Sequence, residues 1–316
     1  AVMTAVLGEQ GAPAATPEPY DLADRYRVGG PPTLLTGVQA IARLLVEHRA
    51  LDRRRGLKTA SFVSGYQGSP LGGLDKMLGD MKDVLDEFDI RFVPGLNEEL
   101  AATAVWGSQV ELPAAESKFD GVTGFWYGKG PGVDRATDAL RHANMYGVNR
   151  RGGAVLLVGD DPASKSSTVP AVSERSLAAL GIPVLFPRNS TEIVTLGLHA
   201  IEMSRSSGCV VALKIVADVA DGAWVIDSTD VDLDPVHRGV VPRGLDRRGV
   251  DVETAVSHQA DQFRTRGREV RSRLQKCVRT IGRFASAPYS SRDYAVQHSF
   301  REAQLHHAAQ QAVASY

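Results

Sequence analysis

Cysteine is scarce. Cys209 and Cys277 are the only two in 316 residues, and they lie far apart. That spacing excludes a disulfide framework, and two thiols cannot ligate a four-cysteine cluster. A reducing, cytoplasmic setting is therefore expected. An excess of one charge is also missing: 36 Lys and Arg stand against 37 Asp and Glu. No long-range field draws nucleic acid or an anionic membrane to the chain, so neither is an expected partner. No apolar run approaches the roughly 20 residues that span a bilayer. The Ala- and Pro-rich start, through Pro19, has no basic leader followed by a long apolar stretch. The first residue is Ala1, which fits a trimmed or partial chain.

The chain is 43% hydrophobic and 23% charged, enough for one large or two modest globular domains. Over residues 20–226, short apolar runs bounded by glycine or proline alternate with longer segments of helical period. This predicts an α/β domain built on a doubly wound, mostly parallel sheet. The strands are expected at 59–65, 121–127, 154–158, 182–186 and 209–216, and the helices at 37–47, 70–87, 98–110, 134–146 and 190–204. Residues 1–19 read as a flexible tail. From 227 the texture changes to an acidic stretch and then an arginine-crowded one, so 227–316 is expected to be a divergent, partly helical or disordered segment. Its basic residues fit a solvated helical face better than an RNA-binding tail.

In parallel sheets, ligands bind beyond the carboxyl ends of the strands, so chemistry is sought in the loops that follow them. The first, Ser64-Gly65-Tyr66-Gln67-Gly68-Ser69-Pro70-Leu71-Gly72-Gly73, has four glycines in the nine residues from Gly65. Ser69 followed by Pro70 reads as a helix cap and first helical residue. The second, Pro94-Gly95-Leu96-Asn97-Glu98-Glu99, offers Asn97 as a cap with two glutamates in the first turn. The helix dipole alone accounts for those acids; the sharper reading is that one of them exchanges a proton with a ligand's ring nitrogen. The third, Gly128-Lys129-Gly130-Pro131-Gly132, invites a phosphate reading but matches neither G-x-G-x-x-G nor the P-loop. The fourth, Gly159-Asp160-Asp161-Pro162-Ala163-Ser164-Lys165-Ser166-Ser167, pairs acids with hydroxyls. Adjacent carboxylates can ligate magnesium, but turn formation is their commoner role, and no metal ligand is assigned in this chain.

Taken in order, FVSGYQGSPLGGLD, PGLNEELAATAVWGSQ, WYGKGPGVDRATDALRHAN and GDDPASKSST resemble the thiamine-diphosphate pyrimidine-binding region of indolepyruvate ferredoxin oxidoreductases, especially the long fused bacterial form. The resemblance runs from about Tyr20 to Val216. It implies oxidative decarboxylation of an aryl pyruvate, a 2-oxoacid, to an acyl-CoA, with electrons passed to ferredoxin through iron-sulfur clusters. By this resemblance Glu98 is the catalytic group at the aminopyrimidine of thiamine diphosphate. Asn97, Gly130, Pro131 and Gly132 are cofactor-binding, Tyr66, Gly68 and Ser69 form the substrate-side loop, and Asp160, Asp161 and Ser167 form an interface or site loop.

The family holds magnesium with a Gly-Asp-Gly element, which this sequence lacks, and the cluster cysteines are also missing. The magnesium ligands, the iron-sulfur clusters and the ferredoxin and coenzyme A sites are therefore expected in remaining domains. The chain alone is expected to be inactive, and the assembled enzyme a homodimer. Two other functions stay open from the residues: a non-catalytic α/β scaffold fragment, or a nucleotide-binding protein using the Gly128–Gly132 loop.

Overall fold

The computed structural model describes residues 25–113 and 116–227. The expectations for the tail, 1–19, and for the segment beyond 227 lie outside the described residues.

Three almost wholly buried strands run through the centre: β2 (Thr59–Gly65), β4 (Gly121–Lys129) and β5 (Ala154–Asp160). All residues of β2 and β5 are buried, as expected of parallel strands covered on both faces. With β3 (Ile90–Phe92), β6 (Val184–Leu185) and β7 (Val211–Val216) they make a six-stranded sheet of order β3-β2-β4-β5-β7-β6, every pairing parallel. Period-two alternation sends successive side chains to opposite faces and builds two cores. On β4, Phe125 and Tyr127 join one core and Trp126 the other.

The first core is roofed by α1 (Gly37–Arg54), α2 (Leu74–Asp80), α3 (Lys82–Glu87) and α8 (Ser190–Ser207). The second is roofed by α4 (Glu98–Gly107), α5 (Gly130–Arg135), α6 (Thr137–Tyr146) and α7 (Glu174–Ala179). The sheet is thus doubly wound, as the alternating pattern requires. Capping sets the long helices: Gln39 N donates to Thr36 Oγ1 (3.2 Å) and Thr36 N to Gln39 Oε1 (2.9 Å) at the start of α1. Gly208 ends α8 in the left-handed conformation.

Chain entry and exit are joined by an antiparallel ribbon of β1 (Thr33–Thr36) and β8 (Ala223–Ile226), with Leu34 opposite Val225. The short α9 (Ala217–Asp221) leads into it and crosses Gly37 so closely that a Cβ there would lie 2.1 Å from Val219 O.

At the amino-terminal edge of the sheet lies a buried polar knot. Arg205 donates to both oxygens of Asp52 (2.8 and 2.7 Å), Thr59 Oγ1 donates to Asp52 Oδ2 (2.5 Å), and His48 Nε2 meets Thr123 Oγ1 (2.9 Å). Burial pushes the His48 imidazole down to about 3, against the pull of Asp52. Burial alone would raise the Asp52 carboxyl, but the Arg205 hydrogen bonds together with the neighbouring charges and the Thr59 hydroxyl hold the group below the usual carboxylate range.

Several local expectations change. The segment 70–87 is not one helix: Ser69–Pro70 is a cis peptide, the chain turns through Gly72 and Gly73, and α2 starts only at Leu74. Ser69 therefore caps nothing. Nor is Gly128–Gly132 a loop. Gly128 and Lys129 complete β4, paired with Val158 and Gly159, and Gly130 opens α5 with Pro131 in its first turn. The nucleotide-loop alternative loses its loop. The strand expected at 182–186 shortens to β6, while β5 extends to Asp160.

Candidate functional site

Four segments meet at the carboxyl edge of the sheet, where α2 leaves β2 toward one face and α5 leaves β4 toward the other. Such a crevice between diverging connections is where open α/β sheets bind ligands.

Glu98 sits at the first position of α4, beyond β3. Asn97 Oδ1 accepts from Leu100 N (2.9 Å), so Asn97 is the cap that the sequence predicts. The two glutamates then separate: Glu98 is 7% exposed, whereas Glu99 points to solvent. Trp126 fixes the backbone here by donating from Nε1 to Glu98 O (3.0 Å). The Glu98 side chain lies across Gly132, where a Cβ would come within 2.8 Å of Glu98 Cγ and 3.1 Å of Oε1. One helical turn on, Arg135 Nε lies 3.8 Å from Glu98 Oε2. Arg135 was not singled out from the sequence; its spacing of three from Gly132 on α5 is the signal that could have found it.

Gly130 faces Asp160 instead, with its would-be Cβ 2.8 Å from Asp160 Oδ1 and 2.9 Å from the Ala171 methyl. Asp160 is fully buried. Its Oδ2 accepts from Ser173 N and Oγ (2.8 and 2.7 Å) and lies 3.5 Å from Lys214 Nζ, while Oδ1 has no partner. Burial raises its carboxyl above the ordinary value despite the Ser173 bonds. Lys214 also bonds Glu174 and lies 4.9 Å from the centre of the Phe186 ring.

Asp161 turns the other way. Its carboxylate accepts from the amides of Lys165, Ser166 and Ser167, each at 2.9 Å, and those bonds hold the group below its usual range. The adjacent acids thus brace two different segments rather than one cation. Among the described residues, no group of three His, Cys, Asp or Glu side chains could hold a metal ion.

The loop after β2 comes to the same edge. Tyr66 N donates to Tyr127 O (3.1 Å), and the Tyr66 side chain is exposed. At Gly68 a Cβ would touch the stem of Lys129, 3.0 Å from Cδ, and the Ser69 hydroxyl bonds that of Ser166. Pro70 and Leu71 press on Gly159 of β5. Below them Tyr127 is fully buried and its hydroxyl approaches Asp75 without completing a hydrogen bond. Burial, then the Asp75 charge, raise the Tyr127 phenol well above its ordinary value, and burial raises Asp75 as well.

Ser69, Glu98, Gly130 and Asp160 therefore share one edge. Three neighbouring groups lie there: Glu98 with Gly132 and Arg135, Gly130 with Asp160, and Gly68, Ser69, Lys129 and Ser166 by the end of β4. Tyr66, Val93, Leu96 and Leu100, in the segments that follow β2 and β3, are exposed apolar residues, with Leu96 85% accessible.

No family model matches the chain. It is 26% identical over 198 residues to indolepyruvate oxidoreductase subunit IorA of Methanothermobacter thermautotrophicus, a match that covers 63% of this chain and 28% of that protein. The chain thus spans little more than a quarter of that relative. A solved structure of a 2-oxoglutarate:ferredoxin oxidoreductase from Magnetococcus marinus, with 2-oxoglutarate, coenzyme A and succinyl-CoA bound, superposes with a TM-score of 0.47 at 13% identity. That match covers 63% of this chain and 32% of that chain.

Proposed function

We propose that this domain supplies the aminopyrimidine-facing half of a thiamine diphosphate site in a 2-oxoacid:ferredoxin oxidoreductase of the indolepyruvate type. The observation that carries the reading is Glu98: a buried carboxylate at the carboxyl edge of a parallel sheet, held across a glycine that leaves no room for a side chain. The similarity to IorA supports it. The exposed apolar rim of Tyr66, Val93, Leu96 and Leu100 fits a surface that a further domain covers.

The residues present fit the cofactor's ring end. Bound thiamine diphosphate supplies the electron sink for decarboxylation. Glu98 holds and returns a proton at the ring nitrogen, Asn97 and Trp126 fix its helix start, and Arg135 offers a counter-charge. Gly130, Pro131 and Gly132 let α5 approach closely. Ser69 and Lys129, with Tyr66 and Gly68 beside them, face the substrate side, where the Lys129 ammonium suits a carboxylate such as that of an aryl pyruvate. Asp160 braces α7 beside Gly130, while Asp161 shapes the loop that carries Ser167. Magnesium, iron-sulfur clusters, ferredoxin and coenzyme A are assigned to the remaining domains of a cytoplasmic homodimer.

The test is 2-oxoacid-dependent dye reduction by the complete enzyme. Glu98→Gln is expected to lower kcat by about a hundred- to ten-thousand-fold, the usual contribution of a general acid or base. Glu99→Gln should be near wild type. Both residues suit the helix dipole equally, so equal activities would overturn the assignment.

A further inference from the structure

Two buried carboxylates, Glu98 and Asp160, bear on the same short helix. Successive residues of an α-helix turn by about 100°, so the first and third point in nearly opposite directions. In α5 these positions are Gly130 and Gly132. A Cβ on Gly130 would lie 2.8 Å from Asp160 Oδ1 and 2.9 Å from the Ala171 methyl, while one on Gly132 would lie 2.8 Å from Glu98 Cγ. The start of α5 is therefore a wedge, with Asp160 against one side and Glu98 against the other.

The two sides are not held alike. Asp160 Oδ2 accepts from Ser173 N and Oγ and lies 3.5 Å from Lys214 Nζ, while Oδ1 fills the space beside Gly130 without a hydrogen bond. The Glu98 carboxylate is held more loosely. Arg135 approaches it at 3.8 Å, outside hydrogen-bond range, and Arg135 belongs to α5 itself. We propose that Asp160 is a positioning residue for Glu98, acting through α5: it fixes one side of the wedge, and the opposite side sets where the Glu98 side chain stands. Protein interiors are packed densely enough to pass such a displacement on. The inference about position rests on packing alone; its effect on rate rests on the function proposed above.

Crystal structures of the full chain carrying Gly130→Ala, and Gly130→Ala combined with Asp160→Ala, read the wedge directly. A methyl at position 130 has only 2.8 Å available, so α5 and Glu98 Cγ should shift together by on the order of half an ångström, the shortfall from an ordinary contact. Asp160→Ala vacates that space, so the double variant should bring Glu98 most of the way back. In the complete enzyme, Gly130→Ala should lower kcat by about ten-fold with little change in KM, since an ångström at a reacting group costs on the order of a hundred-fold. The double variant should recover most of that loss although its Ser173 bonds are gone, which a role confined to bracing α7 does not allow. Asp160→Asn, which keeps both the size and an acceptor for Ser173, should leave Glu98 in place. A Glu98 side chain that stays put in Gly130→Ala, or stays displaced in the double variant, would overturn the proposal. If Glu98 moves and returns while kcat holds throughout, the positioning stands and the catalytic role of Glu98 falls instead.

Discussion

Gly132 and Glu98 are fitted to each other: the glycine has no side chain because the glutamate's methylene and one carboxylate oxygen occupy that space. The relation joins helices that start from different strands, α4 after β3 and α5 after β4. It sets the position of the carboxylate more tightly than α4 alone could.

Gly132→Ala is accordingly expected to push Glu98 aside while leaving the fold in place. A displacement approaching an ångström at a reacting group costs on the order of a hundred-fold in rate. Activity of the complete enzyme should therefore fall by at least ten-fold, with the denaturation midpoint of this chain changing little. Unchanged kcat/KM would show that the Glu98 position does not matter.

The chain by itself is expected to bind thiamine diphosphate weakly, and magnesium should not strengthen that binding. The diphosphate needs a clamp of oxygen ligands around magnesium, which the described residues do not form. Calorimetric titration with and without magnesium checks this, and tight, magnesium-dependent binding would refute it.

Stability should fall as the solution is acidified through the histidine range. His48 has its native pKa pushed down to about 3 from 6.5, so between those values the unfolded chain takes up a proton that the folded chain refuses. The contribution is complete above pH 6.5 and is lost toward pH 3, at no more than about 1.4 kcal/mol per pH unit for one proton. Urea denaturation at pH 7, 6 and 5 should show a shallower slope for His48→Gln than for wild type. Parallel slopes would mean that His48 is protonated in the folded state.

Tyr127→Phe should be tolerated although the ring is fully buried. Its hydroxyl makes no hydrogen bond, so removal deletes an unsatisfied polar group and leaves the packing intact. The stability change is expected to stay within about 1 kcal/mol. A loss above about 2 kcal/mol would show that the Asp75 contact is a working bond.

The doubly wound sheet was legible because short, mostly apolar runs such as β5 and β7 alternate with segments of helical period, and the start of α4 because Asn97 announces it. Short elements were harder: β3, with three residues, establishes no period and was not expected, and the strand expected at 182–186 keeps only two residues. The glycine-rich stretch 128–132 misled because strand and helix join there without a loop, so turn residues serve close packing instead. At the site, Glu98 could be named by resemblance, but its separation from Glu99 by burial could not. The contacts of Arg135 with Glu98 and of Ser166 with Ser69 join segments remote in sequence, and only the folded sheet shows them.

The ribbon of β1 and β8 has a kinetic consequence. Its pairs, Thr33 with Ile226 and Thr36 with Ala223, are among the most distant in sequence that the fold makes. Closing so long a loop loses chain entropy that four residue pairs cannot repay unless the intervening sheet has already gathered the ends. The ribbon is thus expected to close after the sheet it ties together has formed.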